Sequence, residues 1–191
     1  DITGVRARIC KLRLAIQPEL AGLNHLNRLE QVRARAEWND EHIHEGILLD
    51  REDHVISAVR SNIFLVFGDR ILTPRLDRCG IRGVMRSALL AAFRDRCEQR
   101  RVTLDMLPEA DEVFLCNVLH GIYPVTHIDH WEYAIGPLTR EVQAWLNGSD
   151  HPGLATVTGG EVSVAPCSSR PTHSRALLAP TFSAAVLSEK R

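Results

Sequence analysis

The residues best placed to do chemistry are those of Gly80-Ile81-Arg82-Gly83-Val84-Met85-Arg86. Two glycines precede an amphipathic run in which Met85, Ala88, Leu89, Ala92, Phe93 and Cys97 recur at helical spacing. A helix start leaves backbone N–H groups without partners and carries the positive end of the helix dipole, so this junction favours an anion such as a phosphate. Cys116-Asn117-Val118-Leu119 follows the apolar run Val113–Leu115 and places a polar side chain at a strand end. Ser57, Ser61 and Asn62 belong to a third polar cluster between two apolar runs, and Asn24-His25 follows shortly after Gly22. Histidine pairs occur at His42 and His44 and at His127 and His130, but neither has the partners of a zinc motif and both read as solvated surface. Asp77 between Arg75 and Arg78 reads as a surface charge cluster.

The elements that would position these groups alternate between strands and helices. Strands are expected over 4–14, 46–50, 55–59, 62–67, 70–73, 102–107, 113–116 and 121–125. Gly68-Asp69 between two β-rich runs is a hairpin signal. Helices are expected over 24–38, with Asn24 as N-cap, over 84–99, and from Pro137 onward with Leu138, Val142 and Trp145 on one face. A short helical turn is expected at 108–112. This pattern gives an α/β (α+β) class, a sheet covered by at least two helices. The domain is expected over 1–147. Residues 148–191 hold seven Ser, four Thr, four Gly and four Pro without lasting periodicity, and read as a low-complexity, disordered tail.

The totals exclude several classes. Of 191 residues, 45% are hydrophobic and 25% charged, and the formal net charge is −1, with no general pull toward nucleic acid. Residues 1–35 carry seven basic against three acidic residues, which reads as a solvated face. No apolar run is long enough to cross a membrane. Five scattered cysteines without a C-x-x-C pair indicate free thiols in a reducing, cytoplasmic setting. The chain begins with Asp1 and reads as a fragment.

The separated motifs together carry a resemblance. Leu20-Ala21-Gly22-Leu23-Asn24-His25-Leu26-Asn27-Arg28-Leu29-Glu30-Gln31-Val32, then Ser61-Asn62-Ile63-Phe64, Thr73-Pro74-Arg75-Leu76-Asp77, Gly80-Ile81-Arg82-Gly83-Val84-Met85-Arg86 and Ala110-Asp111-Glu112 through Cys116-Asn117 stand in the order seen in the 4-amino-4-deoxychorismate lyase family. These are pyridoxal 5′-phosphate (PLP) enzymes of fold type IV. The resemblance covers roughly residues 4–146. It implies the large C-terminal domain of that fold without the smaller N-terminal domain, a homodimer, and elimination of pyruvate from aminodeoxychorismate to give 4-aminobenzoate for folate synthesis. It also implies cofactor contacts at Ser57, Ser61, Asn62, Gly83, Val84, Met85, Cys116 and Asn117, with Gly83, Val84 and Met85 at the phosphate. Where the family carries its Schiff-base lysine, this chain has Asn24; where many members pair a glutamate with the pyridine nitrogen, it has Ser57. An amide is neither a nucleophile nor a base near neutral pH, so the resemblance implies PLP held non-covalently at best, and impaired catalysis. The neighbouring expectations are a D-amino acid or branched-chain aminotransferase of the same fold, or a non-catalytic binding remnant.

Overall fold

The computed structural model describes residues 4–148. The tail expected over 148–191 lies, after Gly148, outside the described residues. The chain order is β1 (Val5–Leu14), α1 (Leu29–Arg35), β2 (Ile43–Asp50), β3 (His54–Ala58), β4 (Asn62–Phe67), β5 (Arg70–Pro74), α2 (Val84–Ala92), β6 (Cys97–Arg100), β7 (Val102–Thr103), β8 (Glu112–Asn117), β9 (Gly121–Ile128), β10 (Trp131–Glu132) and α3 (Pro137–Gly148). Short 3-10 turns occupy Pro18–Leu20 and Leu104–Met106.

The strands form one mixed sheet in the order β6-β5-β4-β8-β9-β1-β2-β3-β7, with β10 paired to β9. β1 lies parallel to both β2 and β9, and β5 to β6; the remaining pairs are antiparallel. Side chains of a strand alternate between faces, and here both faces are covered. From β4, Ile63 and Leu65 enter one core with Val113, Leu115, Ile47 and Leu49. Phe64 and Val66 enter the opposite core with Phe114, Met85, Leu89 and Val142, beneath α2 and α3. The Phe64 and Phe114 rings stack with centroids 4.9 Å apart. This two-sided burial explains why β4 and β8 read as continuous apolar runs. A third cluster packs Trp38 and Ala34 beside Cys10, Leu48 and Ile56. Glu112, at the start of β8, accepts the Leu138 and Thr139 N–H groups at 3.2 and 2.7 Å and so caps α3.

Four sequence expectations are corrected. The first helix covers only Leu29–Arg35, with Arg28 as N-cap, so Asn24 is not a cap. Leu26 is fully exposed, and Leu23, Leu29 and Val32 are exposed beside it. The second helix ends at Ala92, not at residue 99. The chain turns after Phe93 and adds β6 alongside β5, where pairing such as Ile71 N–H to the Arg96 carbonyl at 2.9 Å replaces helix hydrogen bonds. Residues 102–107 make a two-residue strand and a 3-10 turn, and Pro108 opens a turn, not a helix.

Candidate active-site cleft

Four segments converge on one cleft of about 180 Å³. They are 24–31, the β3–β4 connection 57–62, the loop and helix start 80–85, and the end of β8 with its turn, 116–118. All nine residues singled out from the sequence line it: Asn24, Ser57, Ser61, Asn62, Gly83, Val84, Met85, Cys116 and Asn117.

The first segment is tied to the third through backbone. Gly22 N–H donates to the Gly80 carbonyl at 2.8 Å, and Arg82 N–H donates back to the Gly22 carbonyl at 3.1 Å. Gly22 and Gly80 both take φ +84°, a left-handed conformation open to glycine. This latch fixes the chain to the Gly80–Gly83 loop two residues ahead of Asn24. The Asn24 side-chain oxygen accepts from Arg28 Nη2 at 3.1 Å. Arg28 therefore brings a positive charge to this wall of the cleft. A guanidinium cannot take over as nucleophile or base, because it stays protonated. The sequence holds two lysines, Lys11 and Lys190. Lys11 is exposed on β1 and is not among the lining residues; Lys190 lies outside the described residues.

Asn62 is a clamp. Its Nδ2 donates to the Ile81 carbonyl at 2.8 Å and its Oδ1 accepts the Gly83 N–H at 3.1 Å. It shapes the loop from below and already uses one N–H that the family resemblance assigns to a phosphate. Val84 and Met85 follow as the first residues of α2, Val84 exposed and Met85 buried. Asn117 is fixed in the same manner: its Oδ1 accepts the Leu119 and His120 N–H groups at 2.9 and 2.7 Å. That leaves its Nδ2 as a donor, and it reaches Ser61 Oγ at 3.0 Å. Cys116 is buried, and burial pushes its thiol up to about 12, so it is a wall and not a nucleophile.

Sequence reasoning missed what stands behind Ser61. Ser61 Oγ donates to Glu45 Oε1 at 3.1 Å and makes a short hydrogen bond with the Tyr123 hydroxyl. The Tyr123 hydroxyl also lies 3.4 Å from Glu45 Oε1. Glu45 is 1% exposed, and its second oxygen has no partner. Burial pushes its carboxyl above the usual range, against the pull of Arg60, whose Nε lies 3.5 Å away. Nothing local marks it in sequence: Glu45 stands between His44 and Gly46 in β2, and a second carboxylate, Asp50, ends the same strand.

The donor set fits the phosphate end of PLP and not its reactive end. The Asn62-shaped loop and the start of α2 offer backbone N–H groups and a glycine-lined approach. At the other end, Asn24 cannot bond covalently to an aldehyde, and the Ser57 hydroxyl can hydrogen-bond a ring nitrogen but cannot hold a charge on it. No cluster of His, Cys, Asp and Glu suited to a metal occurs among the described residues.

Known proteins share this architecture. Residues 3–128 match the family "Amino-transferase class IV". Aminodeoxychorismate lyase of Vibrio harveyi is 40% identical over 151 residues, covering 75% of this chain and 56% of that protein. D-alanine aminotransferase of Bacillus licheniformis is 30% identical over 133 residues, covering 66% of this chain and 47% of that one. The crystal structure of 4-amino-4-deoxychorismate lyase from Pseudomonas aeruginosa superposes with a TM-score of 0.74 at 47% identity, covering 76% of this chain and 55% of that one. The chain thus spans about half the length of these relatives. With a family match across both the strands and the cleft they frame, the chain belongs to the class IV aminotransferase family.

Proposed function

We propose that the cleft is the cofactor cradle of a 4-amino-4-deoxychorismate lyase-like protein, and that this chain holds PLP without a covalent link. The activity of the class, release of pyruvate from aminodeoxychorismate to leave 4-aminobenzoate for folate synthesis, is then strongly impaired here. The observation that carries this reading is Asn24, at the cleft wall with its amide bound to Arg28.

The residues divide the work as follows. Asn62 holds the Gly80–Gly83 loop in shape, and the backbone of Val84 and Met85 meets the phosphate. Ser57 would offer its hydroxyl to the ring nitrogen. Arg28, on the cleft wall, is the donor for a carboxylate of a dianionic substrate. Bound PLP supplies an electron sink for a developing carbanion. What this chain lacks is a side chain to move the proton: loss of a positioned acid/base group costs about 10²–10⁴ in rate. As in the family, we take the working form to be a cytoplasmic homodimer.

The experiment is a 4-aminobenzoate release assay with purified protein, PLP and aminodeoxychorismate, beside a PLP titration by absorbance. Saturable binding with turnover about a hundredfold or more below that of Asn24→Lys supports the reading. Robust turnover by the unaltered chain overturns the impairment, and absence of binding overturns the cradle. Amino-group transfer to a keto acid by Asn24→Lys, without 4-aminobenzoate formation, would assign the chain to the aminotransferase branch represented by the Bacillus relative.

A further inference from the structure

Behind the cleft a hydrogen-bond chain runs from Asn117 through Ser61 to Glu45. Asn117 is locked by its Asx turn, so its Nδ2 donates to Ser61 Oγ. Ser61 has one proton, and it points to Glu45 Oε1. With that proton turned to Glu45, its oxygen accepting from Asn117 and the Tyr123 hydroxyl packed against it, Ser61 has no proton left for the cleft. Arg60 is engaged as well: its Nε faces the same carboxylate oxygen, and its Nη2 donates to the His44 carbonyl at 3.0 Å. Yet Ser61, Arg60 and Asn117 all line the cleft, whereas Glu45 does not. Two groups that could meet an anion are thus engaged by one buried carboxylate.

We propose that Glu45 takes up one proton when an anionic ligand enters the cleft, releasing the Ser61 hydroxyl and the Arg60 guanidinium to face that ligand. The proton comes from solvent and binds the carboxylate oxygen that now accepts from Ser61. The neutral acid then donates to Ser61 Oγ, and the serine's own proton swings to the ligand. No bond other than O–H forms or breaks. The ligand class is a phosphorylated pyridine, and in that respect the inference rests on the cradle reading above.

The surroundings of Glu45 suit a carboxyl that changes charge. From the β3–β4 connection it faces Arg60, from β9 the Tyr123 hydroxyl, and from β1 the Cys10 thiol. Both Tyr123 and Cys10 are held protonated by burial, with Glu45 adding to each shift. Hydrogen bonds from Ser61 and from the backbone of Arg60 and Gly46 favour the carboxylate, but burial outweighs them. Among the charged groups only Arg60 favours it, and that side chain is 58% exposed, with its charge screened by water. The unpartnered Oε2 is a further cost to the ionised form. Glu45 is a positioning residue here, acting on the ligand through Ser61 and Arg60.

The test uses pyridoxine 5′-phosphate, whose alcohol cannot condense with any amine. Calorimetric titration in buffers of different ionisation heat gives the protons taken up on binding, and repetition from pH 5.5 to 8.5 gives the pH profile of Kd. Uptake by the unaltered chain exceeds that of Glu45→Gln. Its affinity also falls more steeply than that of Glu45→Gln as pH rises, the difference reaching about tenfold per pH unit at most. The Gln amide donates to Ser61 as the neutral acid would, so Glu45→Gln keeps its tight binding at high pH. Should Glu45→Gln not fold, Ser61→Ala decides: it keeps the carboxyl and loses the responding hydroxyl, so its uptake falls below that of the unaltered chain. Equal uptake and parallel profiles overturn the proton linkage and leave the cradle standing. No binding by either the unaltered chain or the substituted ones overturns the cradle and the linkage together.

Discussion

Gly83 gives its backbone N–H to the side chain of Asn62 at 3.1 Å, while the same side chain holds the Ile81 carbonyl at 2.8 Å. One amide thereby spans the loop whose end starts α2, and it leaves no room for a side chain at 83: a Cβ built there would overlap the Asn62 oxygen. Asn62→Ala strands a partly buried donor and acceptor, at a cost of about 1–3 kcal/mol. Urea unfolding should report that loss, and pyridoxine 5′-phosphate should bind more weakly as the loop relaxes.

Restoring a lysine should restore a covalent site. Asn24→Lys with PLP should give a visible absorbance band and a borohydride-fixed mass increase. Because Lys11 and Lys190 are the only other lysines, peptide mapping assigns the product without ambiguity. The unaltered chain should show no such mass on the peptide containing Asn24.

Glu45 also makes a stability prediction whose sign is fixed. Its folded-state pKa lies above the ordinary carboxyl value, so between the two the native chain holds the extra proton. The stability this gives is complete below the unfolded pKa and is lost as pH rises through the folded one. Glu45→Gln has no such slope, so urea midpoints should show it gaining on the unaltered chain as pH is raised from 5 to 8.

The described cysteines should resist alkylation. Burial pushes the thiols of Cys10, Cys79 and Cys116 up to about 12 and that of Cys97 to about 11. At pH 8 a thiol at 12 is about one part in ten thousand thiolate, and the thiolate is the reactive form. In a Cys167→Ser background, iodoacetamide should label none of the four on the timescale that labels them in urea.

The strands and the cleft were legible in sequence for different reasons. β4 and β8 declared themselves because both faces are buried, so Ile63–Val66 and Val113–Cys116 had to be apolar throughout. The cleft residues were legible because the separated motifs keep their family order. The first helix was overread because Leu23, Leu26, Leu29 and Val32 repeat at helical spacing, and periodicity cannot tell a core face from an exposed one. The second was overread because Phe93 and Cys97 continue its repeat while packing on the same cluster from a turn and a strand. Glu45 was invisible because its partners Ser61 and Tyr123 lie 16 and 78 residues away. Only the sheet brings them together.

The sheet order has one further consequence. The two strands at its borders are short: β6 has four residues and β7 has two. So little unpaired backbone gives a foreign strand almost nothing to zip onto, and fibril-like growth from these borders is blunted. Greasy side chains instead lie open to solvent at Leu26, Val84, Val118 and Leu119. Clumping of this polypeptide should therefore be sensitive to mild detergent and to Leu26→Glu, and produce amorphous rather than amyloid material.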